Sequence, residues 1–156
     1  MSGKNGSTGL GLVEVYDIDA AAPATPANIS TRSRLGTGDD VMIGEFILRG
    51  PRPSTVLIRA IGPSLTSAGV PGALQDPTLE LVDSNGNSIT NDDWKRNASG
   101  APDPAQQSRI ESPGAAPKDD RESALLVSLV PGPYTAIVRG KNNTTGVALI
   151  EAYNLE

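Results

Sequence analysis

Apolar residues along this chain come in short runs that are alternating or β-rich, separated by turns marked with glycine and proline. That rhythm predicts strands at about 9–18, 28–33, 40–49, 54–61, 77–83, 87–91, 122–129, 133–140 and 145–155. No segment sustains a 3.6-residue apolar period, so very little helix is expected, at most a short turn in SLTSAGV at 64–70. The pattern is that of an all-β protein, a sandwich or a barrel, with long polar loops.

Two loops stand apart. AAAPATPA at 20–27 reads as a semi-extended linker, and at ~3.1 Å per residue its eight residues reach about 25 Å. The stretch 95–121 is long, polar and marked by four prolines, which suggests a solvated meander, a functional excursion or local disorder. The chain therefore divides into a terminal strand at 1–19, a linker at 20–27 and a sandwich domain at 28–156.

The terminal strand duplicates the end of the chain. GKNGSTGLGLVEVYDID at 3–19 returns as GKNNTTGVALIEAYNLE at 140–156. Eight of the seventeen positions are identical: Gly3/Gly140, Lys4/Lys141, Asn5/Asn142, Thr8/Thr145, Gly9/Gly146, Leu12/Leu149, Glu14/Glu151 and Tyr16/Tyr153. The later copy, between 133 and 155, reads as strand, turn, strand, with Asn142-Asn143 suited to the positive φ of a tight hairpin. The earlier copy keeps the turn signal Asn5-Gly6 without the first arm, so it reads as half a hairpin.

Leu10, Leu12, Glu14, Tyr16 and Ile18 alternate with Gly11, Val13 and Val15, leaving both faces apolar enough to need cover. The matching last strand offers Val147, Leu149, Ile150, Glu151, Tyr153 and Leu155. Three destinations are open for the first copy: a place in its own sandwich, a place in a neighbouring molecule, or the end of a preceding repeat in a longer polypeptide. Glu14 and Glu151 lie mid-strand, with Arg49, Arg59 and Arg139 as available partners, or serve as exposed charges guarding an edge. A fainter echo aligns GPRPSTVLIRA at 50–60 with VPGPYTAIVRG at 130–140, including Arg59 with Arg139.

Composition narrows the chemistry. Without histidine or cysteine, the chain cannot build a Ser-His-Asp or Cys-His nucleophile or a two-His metal site. No pair of carboxylates is picked out for glycosidase work, and no GxSxG, SxxK or P-loop appears, so the reading is non-catalytic. The net charge of −5 without a basic cluster disfavours nucleic acid. The longest apolar run, ALLVSLV at 124–130, is far short of the ~20 residues that span a bilayer, and the polar Ser-Gly-Lys-Asn after Met1 carries no export signal.

Asp83, Asn85 and Asn87 have the opening spacing of a calcium loop, with Asp92 and Asp93 close behind, but Gly86 is misplaced and Trp94 stands where the bidentate glutamate belongs. The same residues make a plain hairpin turn, so both readings stand. Trp94 is also the one aromatic in a polar loop, the best platform for a sugar ring if the domain is a glycan-binding module. N-x-S/T sequons at Asn5, Asn28, Asn97, Asn142 and Asn143 matter only in a glycosylating host.

Taken together, ANISTR, GTGDDVMIGEFILRGP, VLIRAIGPSL, PGALQDPTLELVDSNGN, RESALLVSLVPGPYTAIVRG and TTGVALIEAYNLE resemble a repeated β-sandwich domain of large secreted proteins of environmental bacteria. Residues 76–156 are also similar, more loosely, to pre-peptidase C-terminal domains. The resemblance implies an extracellular, jelly-roll-like antiparallel β-sandwich without catalytic activity of its own, with calcium bound in some members. The resulting expectation is a structural subunit whose partners are copies of itself, joined through the terminal strand into a filament or array. The alternative is a glycan-binding or adhesion module.

Overall fold

The computed structural model describes residue 5 and residues 28–155. The strand expected at 9–18, with Leu10, Leu12, Val13, Glu14, Val15, Tyr16 and Ile18, and the linker at 20–27 lie outside the described residues.

Eight strands form two antiparallel four-stranded sheets: β1 (Asn28–Leu35), β2 (Met42–Leu48), β3 (Ser54–Ile61), β4 (Pro77–Asp83), β5 (Ser88–Asn91), β6 (Ser123–Leu129), β7 (Gly132–Gly140) and β8 (Gly146–Asn154). One sheet runs β1-β8-β3-β6 and the other β2-β7-β4-β5. Because β1 pairs with β8, β2 with β7, β3 with β6 and β4 with β5, the chain is a long hairpin rolled up on itself, the jelly-roll arrangement. Each of these strands falls within two residues of a predicted one, because alternation is the signal that a half-buried strand leaves in sequence.

The inward side chains meet between the sheets. Val56, Ile58 and Ala60 of β3 and Ala148 and Ile150 of β8 face Leu79, Leu81, Ala136 and Val138 from the other sheet. Phe46 stacks on Tyr134 at 5.6 Å between ring centroids.

The stretch 95–121 is neither a meander nor disordered. It holds a helix, α2 (Pro104–Glu111), beside the shorter α1 (Ser64–Ser67). The Asp103 side chain caps α2 by accepting from the Gln106 backbone N–H, and Pro104 occupies its first turn. α2 lays the fully buried Ile110 against Leu57, Trp94 and Ala124, so the outer face of the β1-β8-β3-β6 sheet acquires a core of its own.

The turn at residues 140–146 also differs from the hairpin expected of it. Asn142 and Asn143 have φ of 54° and 60°, as the hairpin reading requires. Yet β7 and β8 belong to different sheets, so this turn is an arch between sheets and pairs nothing. The later copy is therefore not the second arm of a hairpin with β7: β8 has β1 on one side and β3 on the other.

Candidate functional site: the seat of the last strand

β8 lies between β1 and β3, with Glu151 opposite Ser30 on one side and Arg59 on the other. Alternation sends Ala148, Ile150 and Ala152 into the core. Val147 and Leu149 go to the outer face, beside Ile61, Leu65 and Val70. Leu155 continues that face onto the cluster around Trp94.

Two electrostatic anchors hold the two ends. At the far end, the Arg59 Nε donates to Glu151 Oε2 at 2.6 Å, and its Nη2 donates to the Tyr153 hydroxyl at 2.8 Å. The same hydroxyl donates to Glu151 Oε1 at 3.1 Å, and Arg59 Nη1 donates to the Ala115 carbonyl. Burial pushes the Tyr153 phenol above its ordinary value; Arg59 pulls it down and Glu151 adds to the rise, so at neutral pH it remains a donor. Of the three arginines offered by the sequence, Arg59 is the one that pairs with Glu151. Its echo, Arg139, pairs with Glu80 at 2.9 Å on the other sheet.

At the near end, the Lys141 ammonium sits 2.6 Å from Asp92 Oδ2 and 3.6 Å from Asp76 Oδ2. The hydrogen bond to Asp92 raises the Lys141 pKa, so the cation is well held. Asp76, Asp92 and Asp93 bring carboxylate oxygens within 4.8 Å of one another. Asp76 is raised from its usual range chiefly by burial, with Asp92 and Asp93 adding to the rise against Lys141's opposing pull. Lys141 thus pairs mainly with Asp92, while Asp76 pays a desolvation penalty it only partly recovers.

Between the anchors, backbone geometry sets the register. Val147 N–H donates to the Gly72 carbonyl and Leu74 N–H to the Val147 carbonyl, each at 2.8 Å. A Cβ on Gly146 would lie 2.6 Å from the Leu74 backbone, and one on Gly140 would lie 1.9 Å from the Thr144 carbonyl oxygen, so neither position admits a side chain.

These constraints explain the identities in the duplicated segment. Seven of the eight shared residues have a role in the seat: Gly140, Lys141, Asn142, Gly146, Leu149, Glu151 and Tyr153. Thr145 is exposed and the structure offers no reason for it. Asn5, the described residue of the first copy, has φ of 56°, against 54° at its twin Asn142.

The calcium expectation finds its residues divided. Asp83 Oδ1 accepts from the backbone N–H groups of Asn85 and Asn87, and Oδ2 accepts from the Asn87 side chain at 2.9 Å. These bonds, led by that from the Asn87 side chain, hold the Asp83 carboxyl below its usual range, and they close the β4–β5 turn. Asp92 and Asp93 lie past the other end of β5 and join Asp76 instead. Asp76 Oδ1 and Asp92 Oδ1 are buried without a hydrogen-bond partner. Lys141 supplies countercharge to Asp92 and Asp76 in this cluster.

Trp94 is 4% exposed and donates its indole N–H to the Asp119 carbonyl at 3.1 Å, so it presents no open ring face for a sugar. Glu122, which no motif in the sequence singles out, is fully buried. It accepts from the backbone N–H groups of Gly62, Ser64, Lys118 and Asp119 and from the Ser64 hydroxyl, tying two loops to the start of β6. Among the described residues no helix is long and apolar enough to cross a membrane. Set against protein-family models and against curated proteins, the chain matches neither.

Proposed function

We propose that this protein is a non-catalytic structural subunit that assembles with copies of itself, by exchanging its terminal β-strand, into an extracellular filament or array. The observation that carries this reading is the duplication seen through the seat. The place between β1 and β3 is filled by β8 of the same chain, and residues 3–19 repeat the residues that fit that place. A chain whose described residues hold one such seat, and whose sequence repeats the segment made for it, has a copy to offer elsewhere, and a head-to-tail contact of that kind repeats without closing. The extracellular setting rests on the resemblance to repeated domains of secreted proteins.

The test is negative-stain microscopy and light scattering of the full chain beside a chain lacking residues 1–19. The eight strands of the described residues lie within 28–154, so the shortened chain is expected to keep its fold and remain monomeric while the full chain forms elongated oligomers. A 156-residue chain that stays monomeric up to about 1 mM, the effective concentration against which a foreign strand must compete with a tethered one, would overturn the reading.

A further inference from the structure

Resting on that reading, we infer that the acceptor is the β8 seat of a second copy, and that two oppositely charged anchors in it set the register of the incoming strand. The Asp76–Asp92 pair would take Lys4, and Arg59 would take Glu14 and Tyr16.

The spacing of the charges is the first support. Lys141 and Glu151 are ten residues apart, and so are Lys4 and Glu14. The acidic anchor holds Lys141 at one end of the seat and the guanidinium of Arg59 holds Glu151 and Tyr153 at the other. A strand shifted by one residue would turn Glu14 toward the core and set Val13 or Val15 against Arg59, which the side-chain period of two makes costly.

The inward face fits as well. Gly11, Val13 and Val15 would replace Ala148, Ile150 and Ala152, losing one carbon, losing one and gaining two, so the apolar content is conserved. Gly9 stands where Gly146 must pass the Leu74 backbone, and Gly3 where Gly140 leaves no room for a Cβ. At the described end of the copy, Asn5 already has the left-handed backbone of Asn142. Val15 also favours extended backbone more than its counterpart Ala152 does, which helps an incoming strand compete with β8.

The test uses the full chain and reads the concentration at half-assembly by sedimentation velocity. Glu14→Arg and Lys4→Glu leave residues 28–155 untouched, so a folding defect cannot imitate the result. Each is expected to raise that concentration at least tenfold. Arg59→Glu added to Glu14→Arg should restore assembly, because the new carboxylate repels the chain's own Glu151 and attracts the guanidinium introduced at position 14 of the neighbour. Should that pair unfold, Asp92→Lys combined with Lys4→Glu makes the same exchange at the other anchor. If the unaltered chain assembles and both single reversals assemble equally well, the seat is not the acceptor although the proposed function survives. A chain that never assembles removes both.

Discussion

Arg59 and Glu151 form the best-defined polar contact on β8, with side chains only 18% and 11% exposed. Removing one partner of such a pair strands the other, which ordinarily costs about 3–5 kcal/mol. Arg59→Met is therefore expected to lower the urea midpoint strongly, and a change within error would show that Glu151 finds water instead. Asp76 behaves differently. Its folded pKa is raised above the 3.8 of the free side chain, so the native state binds that proton more tightly than the unfolded chain does. The stabilising contribution is present below pH 3.8 and is lost as pH rises through the folded value, beyond which ionised Asp76 is a standing cost. Asp76→Asn should then raise Tm at pH 7 and do little at pH 3. An equal change at both pH values would contradict this assignment.

At the scale of elements, strands were readable and α2 was not. Alternation located β2, β4, β7 and β8, in which burial alternates along the strand, whereas α2 buries essentially one large side chain, Ile110, and leaves no periodic stripe. The signal available was local: Asp103-Pro104 is a helix cap followed by proline in the first turn, and it was lost among the other prolines of the loop. Truncating Ile110→Ala is expected to cost about 2–5 kcal/mol, as buried aliphatic truncations do. Trp94, the chain's single tryptophan, touches the same cluster, so its emission should shift to the red before the sandwich unfolds. The arch at 140–146 shows a subtler limit. Its positive φ values at Asn142 and Asn143 were legible, but whether a turn joins paired strands or crosses between sheets is decided by distant partners.

For the whole molecule, the duplication was visible from sequence, while its meaning depended on the seat. Sequence alone could say that Glu14 repeats Glu151, and offered three arginines as partners. The fold selects Arg59 and assigns Lys141 to the acidic cluster, which gives seven of the eight matching letters a place in the seat and sets its two charged contacts at fixed spacing. Strand exchange at this seat predicts a specific neighbour for each residue of the first copy. Ile150 faces Ala60 of β3, so Val13, its counterpart, should face Ala60 of another molecule. β3 is flanked on both sides, by β8 and β6, and only replacement of β8 brings Val13 there. The chain has no cysteine of its own. The most direct measurement is to mix one protein carrying Val13→Cys with another carrying Ala60→Cys under oxidising conditions and resolve the products by mass. The account predicts a disulfide-linked dimer containing one chain of each kind; heterodimer no more abundant than in a mixture with Val15→Arg added to the first chain would contradict it.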